Sequence, residues 1–191
     1  NAMVDSLDTL GAPDLRGNPD ELGGTVLAPV AGMLASSLRH VANPTMFTAG
    51  RSMNVVPARA EAVVDGRFVP GKQEDFLEQL SVLAGPDVSI DVVDLTEADE
   101  ADPGAPLVGD MQRALAAEDP GARIIPYTSS ASTDNASFAA LGIQGYGFAP
   151  LKLPPGYNFS AMFHGTDERV PIESLKFGAR VIYRLLKGSM N

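Results

Sequence analysis

The segment 94–105 (DLTEADEADPGA) constrains the fold most, because it separates two stretches with different hydrophobic rhythms. It is acidic, closes on Pro103-Gly104 and has no apolar face, so it reads as a solvated boundary between two units. A cation-binding reading of its carboxylates is weaker, since nothing fixes them around a point.

Ahead of this boundary, residues 4–24 carry Gly11, Pro13, Gly17, Asn18, Pro19, Gly23 and Gly24, a loop composition. Residues 25–40 are apolar and helical in character, with Pro29 suited to a first turn and Asn43-Pro44 as the break. Strands are expected at 45–50 and 58–68. In the second, Ala60, Ala62, Val64 and Phe68 alternate with Glu61, Val63, Asp65 and Arg67, giving one packed and one polar face. Pro70-Gly71 makes a turn. A helix over 72–84 points Phe76, Leu77, Leu80 and Leu83 inward and stops at Gly85-Pro86. Val88, Ile90 and Val92 alternate as a further strand over 88–94.

Beyond the boundary the pattern is α/β. Leu107, Val108, Met111, Ala114 and Leu115 mark a helix, Ile124-Ile125 a short buried strand, and Thr133–Leu141 a helix capped by Thr133 or Asp134. Ile143–Ala149 reads as a central strand. Pro171 opens a last helix through Lys187, with Ile172, Leu175, Ile182 and Leu185 inward and Gly188 at its end. The fold class is therefore α/β, with a small mixed α+β unit first.

The composition excludes several functions. A net charge of −10 without a Lys/Arg cluster argues against a nucleic-acid groove or an anionic membrane surface. The chain has no cysteine, so disulfide scaffolds and thiolate metal sites are out, and any metal must be held by His and carboxylates. No apolar run approaches a membrane span. Asn1-Ala2-Met3 reads as a cloning scar before a start methionine, and with no signal peptide the expected location is cytoplasmic. G-x-S-x-G, P-loop, G-x-G-x-x-G and H-E-x-x-H motifs are all missing.

Few residues are candidates for chemistry. His164, in FHGTDERV, follows the Pro-rich segment LKLPPGYNF and is placed to point into a cleft, with Asp167 and Glu168 near enough to orient its ring. The plainer alternative is a surface histidine beside helix-capping acids, and the local sequence alone favours it. His40 closes a helix, where a cation suits the macrodipole, and needs no further role. Arg67 on a polar strand face is able to grip a carboxylate bidentately, or equally to pair with Asp65 or Glu61. Asn54 suits a turn. The run TSSASTD at 128–134 offers hydroxyls ahead of a helix start, either for an anion or as an ordinary cap, and the cap is the simpler reading.

The order of these elements is more telling than any one of them. Asn54-Val55-Val56-Pro57, Asp65-Gly66-Arg67, Pro70-Gly71, Ser132-Thr133-Asp134 with Phe138, Gly147-Phe148-Ala149-Pro150, and His164 with Glu168-Arg169-Val170 follow one another. From about Thr45 to Leu186 this resembles the dizinc metallopeptidase family of succinyl-diaminopimelate desuccinylase, acetylornithine deacetylase, aminoacylase and glutamate carboxypeptidase. Residues 3–42 fall outside the general pattern.

The resemblance implies a partial lid or dimerisation domain over 3–98, a ferredoxin-like remnant. It makes 99–191 the C-terminal part of a zinc-bearing catalytic domain. It implies that His164 is a metal ligand, that Asn54 and Arg67 hold a substrate carboxylate from the lid, and that Thr133, with Asp134 beside it, contacts substrate. The implied activity is zinc-dependent cleavage of amide bonds in N-acyl amino acids or small peptides that carry a free carboxylate. The implied assembly is a homo-oligomer.

There are departures. The family's H-x-D motif, bridging Asp and Glu-Glu pair normally precede the lid and are missing, as is the lid's Gly-His. Ala131 and Ser132 stand where glycines are usual. No catalytic base is therefore expected in this chain, which is expected to be inactive alone. The alternative is a non-enzymatic remnant, a dimerisation or binding module, or one half of a two-chain enzyme.

Overall fold

The computed structural model describes Met3, Leu34 and residues 37–96, 100–129 and 131–189; the loop expected at 4–24 and most of the helix expected at 25–40 lie outside these. The fold is mixed α/β. Two compact units are distinguished, one over 36–99 and one containing 100–191.

In the first unit, β1 (Val41–Ala49) and β2 (Ala60–Arg67) form an antiparallel ribbon. β1 begins earlier than the sequence pattern implies and runs through Asn43-Pro44. Pro44 has no N–H for a ladder, and the register accommodates it with an irregularity between Pro44 and Met46. Thr45 is the extra residue, and its hydroxyl donates to the Val63 carbonyl at 3.2 Å. Register pairs Pro44 with Val64 and Phe47 with Ala62, and Asn43 with Asp65 and Val41 with Arg67. The alternation along β2 sorts side chains onto two faces, but the face expected to pack is largely open: Ala60, Ala62 and Val64 are exposed, and only Phe68, beyond the strand, is partly buried.

Pro70-Gly71 turns the chain, with Gly71 at φ 72° and the Lys72 N–H bonded to the Val69 carbonyl at 3.0 Å. α1 (Gln73–Ala84) follows and ends at Gly85, also left-handed. Phe76 is its one buried residue, and its ring lies directly over Gly66: a β-carbon there would meet the ring at 2.6 Å. Phe68 and His40 complete the cluster, with ring centroids 6.0 and 5.6 Å from Phe76. The Val69 N–H donates to His40 Nδ1 at 3.4 Å, so His40 closes the ribbon's end rather than a helix.

Two further expectations fail in this unit. Leu83 is 84% exposed, because α1 crosses only the Gly66 end of the ribbon. Residues 88–94 do not form a strand; a strand needs a ladder partner for its N–H and C=O groups, and among the described residues nothing pairs with this segment.

In the second unit, α2 (Pro106–Ala116) starts with proline at its first position and buries Met111 and Ala114. α3 (Asn135–Ala139) is a short helix, and α4 (Ile172–Ser189) is the longest among the described residues. Ala114, Phe177 and Val181 form the core, with Leu115, Phe148 and Leu185 packed on it.

α4 is rotated from its expected setting. It buries Ser174, Phe177, Gly178 and Val181, and leaves Ile172 and Leu175 exposed. The cause is a close backbone approach: a β-carbon on Gly178 would lie 2.5 Å from the Pro150 carbonyl oxygen, and the Ser174 hydroxyl donates to the Lys152 carbonyl at 2.7 Å.

The expected strands at Ile124-Ile125 and 143–149 are absent. Gln112 on α2 supplies what a ladder would: its Oε1 accepts the Ile124 N–H at 2.8 Å and its Nε2 donates to the Ala122 carbonyl at 3.0 Å. The Ile143 N–H bonds back to Phe138, and the Tyr146 hydroxyl donates to the Asp102 carbonyl at 2.9 Å.

Glu118, just past α2, ties that end to α4. Its carboxylate accepts from Arg180 Nε at 2.7 Å and from Arg184 Nε at 2.5 Å. The hydrogen bond from Arg180 first, then that from Arg184, hold the Glu118 carboxyl below the usual carboxylate range. A depressed folded-state value means the contribution is full above the unfolded-state value of about 4.3 and is lost as pH falls through the lower folded one. All four tyrosines (Tyr127, Tyr146, Tyr157, Tyr183) lie in this unit, so near-UV dichroism follows it selectively. Glu118→Gln is expected to lower the urea midpoint at pH 7 and to flatten the acid limb of the stability curve. An unchanged acid limb would assign the acid sensitivity to other carboxylates.

Candidate functional site

His164 sits in a loop built almost wholly from consecutive tight turns. Pro154–Tyr157 is the first, with Gly156 at φ 75° and the Tyr157 N–H bonded to Pro154 at 3.1 Å. A single 3₁₀ turn over Ser160–Met162 comes next, with the Asn158 Oδ1 accepting from the Ser160 hydroxyl at 3.1 Å and the Ala161 N–H at 3.2 Å. Then Phe163 takes φ −60° and ψ 124°, His164 takes φ 56°, and the Gly165 N–H reaches the Met162 carbonyl at 3.1 Å. This is a type II β-turn with histidine at the third position, where glycine or asparagine is usual. His164 is the only non-glycine residue with positive φ among the described residues.

The loop is held from several directions. The Phe159 and Phe163 rings meet edge-on at 4.8 Å. The Tyr157 hydroxyl donates to the Arg169 carbonyl, joining the two arms. The Arg169 guanidinium pairs with the Asp167 carboxylate, so Asp167 is engaged there and is not a demonstrated partner of the His164 ring. The Glu168 N–H is bonded to the Gly165 carbonyl. His164 itself is exposed.

The other candidates fall in two groups. Thr133 and Asp134 belong with His164 to the second unit, at the start of α3. The Thr133 hydroxyl oxygen accepts the Asn135 N–H at 3.3 Å, whereas Asp134 occupies the N-cap position without a side-chain cap bond. Asn54 and Arg67 lie in the first unit. Asn54 is in the β1–β2 connection, where its Oδ1 accepts from the Ser52 hydroxyl at 3.3 Å. Arg67 ends β2 and meets Asp65 Oδ2 through Nε and Nη2, each at 2.9 Å.

Among the described residues, no group of three or more histidine or carboxylate side chains converges in a way that would hold a metal ion. A closed zinc site takes about four ligands, so the described residues do not fit zinc by themselves.

Comparison with known proteins now bears on the resemblance. Residues 4–82 match the family model of a peptidase dimerisation domain. That likeness, with the relatives below, supports the resemblance to a metallopeptidase family. The match takes in the ribbon and most of α1, and it reaches upstream to residue 4, across a stretch that the motif order left uncovered. N-fatty-acyl-amino acid synthase/hydrolase PM20D1 of Bos taurus is 25% identical over 161 residues, 80% of this chain and 31% of that protein. The Mus musculus protein of that name is 27% identical over 157 residues, covering 76% and 30%. Probable carboxypeptidase S-like 2 of Dictyostelium discoideum is 25% identical over 150 residues, covering 76% and 28%. The chain thus spans less than a third of the length of these curated relatives. No solved structure matches.

Sequence reasoning passed over Tyr157. The available signal was its place directly after Pro154-Pro155-Gly156, where a turn ends and an aromatic hydroxyl is free to reach across a loop.

An L-residue in the left-handed region is strained by roughly 1–2 kcal/mol, while glycine gives back about 0.5–1 kcal/mol in unfolded-state entropy. His164→Gly is therefore expected to stabilise the second unit by about 0.5–1 kcal/mol, read as a higher urea midpoint in near-UV dichroism. His164→Ala should bring no such gain. Equal midpoints for the two variants would show that the turn relaxes at no cost.

Proposed function

We propose that this chain is part of a zinc-dependent metallohydrolase that cleaves amide bonds of N-acyl amino acids or small peptides, and that alone it does not turn over. The joint match of residues 4–82 to a peptidase dimerisation domain and of most of the chain to an acyl-amino acid hydrolase and a carboxypeptidase carries this reading. The strained presentation of His164 supports it, since left-handed non-glycine residues concentrate at functional positions.

In this reading residues 3–98 are a partial lid and 99–191 the end of the catalytic domain. His164 supplies one metal ligand. Arg67 and Asn54 hold the substrate's free carboxylate, and Thr133 and Asp134 line the substrate from the catalytic side. The base and remaining ligands belong to a segment not contained in this sequence. The protein acts in the cytoplasm, without nucleic-acid or membrane partners. No helix among the described residues is long and apolar enough to cross a membrane.

The proposed assembly is a homodimer through the first unit. Its ribbon leaves Met46 64% and Phe47 73% exposed, apolar surface of the kind that pairing covers. Sedimentation of the chain should show dimers or larger species, and a pure monomer at high concentration would reject this part.

The activity reading is tested with zinc and a panel of N-acyl amino acids. The isolated chain should show no turnover; zinc-dependent turnover abolished by His164→Ala would mean the site is complete within it. With the upstream sequence restored, His164→Ala should lower both zinc content and kcat. Arg67→Ala should raise KM by at least tenfold, from the loss of roughly 1.5–3 kcal/mol in charge-assisted bonds, and Arg67→Lys should recover only part. Unchanged kinetics in Arg67→Ala would leave Arg67 as Asp65's surface partner.

A further inference from the structure

The turn at Met162–Gly165 places histidine where the backbone favours glycine, so something outside the turn must hold it. The turn's own hydrogen bond, Gly165 N–H to Met162 carbonyl, is short-range and exposed, and such a turn is free to relax to a form with negative φ at its third residue. The contact between Phe159 and Phe163 fixes the residue before His164 but does not reach the other arm of the loop. The contact that does so is the hydroxyl of Tyr157 on the Arg169 carbonyl, twelve residues apart.

The anchors on either side are already rigid. Pro154 and Pro155 restrict the backbone of the first turn and Gly156 admits its φ of 75°, which together set where the Tyr157 ring starts. On the far arm, the Arg169 guanidinium is held by Asp167, and Pro171 leads into α4, whose first turn bonds to Pro171 through the Leu175 N–H at 3.1 Å. Joining two fixed arms closes the span from Tyr157 to Arg169. A closed span has few backbone solutions, and the one adopted puts His164 at φ 56°.

We infer that Tyr157 is a positioning residue for His164: its hydroxyl closes the loop and so holds the left-handed conformation that presents the imidazole. This rests on reading His164 as a functional side chain, but the bond to Arg169 and the conformation at 164 are observable whether or not His164 meets a metal.

The test is Tyr157→Phe in the full chain, which removes one hydroxyl and keeps the ring. NMR gives the intraresidue amide-to-Hα NOE of His164, strong in a left-handed residue, and hydrogen exchange gives the protection of the Gly165 amide. In Tyr157→Phe the NOE should weaken to the level of its neighbours and Gly165 should exchange at least several-fold faster, with the Val181 amide in α4 unchanged. Retention of the His164 NOE and of Gly165 protection would overturn the inference. So would faster exchange spread equally to Val181, which would make Tyr157 a general stabilising residue. Adding His164→Gly to Tyr157→Phe should restore Gly165 protection, because glycine holds the turn without a clamp; failure of that rescue would also count against it. Unchanged zinc content and turnover in the restored enzyme despite this NMR change would leave the inference standing and count against His164 as a metal ligand.

Discussion

The close approach of α4 to the segment 150–152 sets the second unit. Gly178 lets the helix backbone come against the Pro150 carbonyl, and the Ser174 hydroxyl satisfies the Lys152 carbonyl at 2.7 Å. Larger side chains at either position would separate the two segments and cost the partly buried hydrogen bond from Ser174 to the Lys152 carbonyl. This contact turns Phe177 and Val181 toward Ala114 of α2 and so defines the core. It also fixes both feet of the His164 loop, which leaves the packed segment at Lys152 and returns to α4 near Pro171. Core packing and site geometry therefore share one constraint.

The first unit is organised by a second close approach, the Phe76 ring on Gly66. It covers only one end of the ribbon, and the apolar side chains farther along, Phe47 and Met46 among them, remain exposed. A two-stranded ribbon with so little cover is marginal alone. That is the physical setting in which association through this unit is favourable, and it is consistent with the family matched over 4–82.

How far the sequence was legible follows from these contacts. α2 was readable because Leu107, Val108, Met111, Ala114 and Leu115 recur at helical spacing. The β2 strand was readable from its period of two. Apolar runs without a partner were not: Ile124 has its backbone satisfied by the Gln112 side chain, which no periodicity announces. The rotation of α4 was hidden because a glycine in a helix lowers the apparent hydrophobicity of the face it packs. At the site, Thr133 and Asp134 were correctly placed at a helix start, but which of them bonds the backbone depends on dihedrals that the sequence does not carry. The left-handed His164 was illegible for a similar reason. Pro154-Pro155-Gly156 announces its turn, whereas Met162–Gly165 has its glycine one position late.

The pair between Arg67 and Asp65 bears on the proposed role of Arg67 in holding a carboxylate. Both side chains are about two-fifths exposed, at 43% and 42%. An ion pair so placed contributes about 0–1 kcal/mol, less than the roughly 1.5–3 kcal/mol of hydrogen bonds to a charged ligand in a drier setting. Asp65 is thus weak competition for a substrate carboxylate. It also has a positive use, since it pre-orders a side chain that otherwise loses up to about 2 kcal/mol of rotamer entropy when fixed. The contact uses Nε and Nη2 on a single Asp65 oxygen. An ion pair of that strength does not bar the proposed substrate contact at the same arginine.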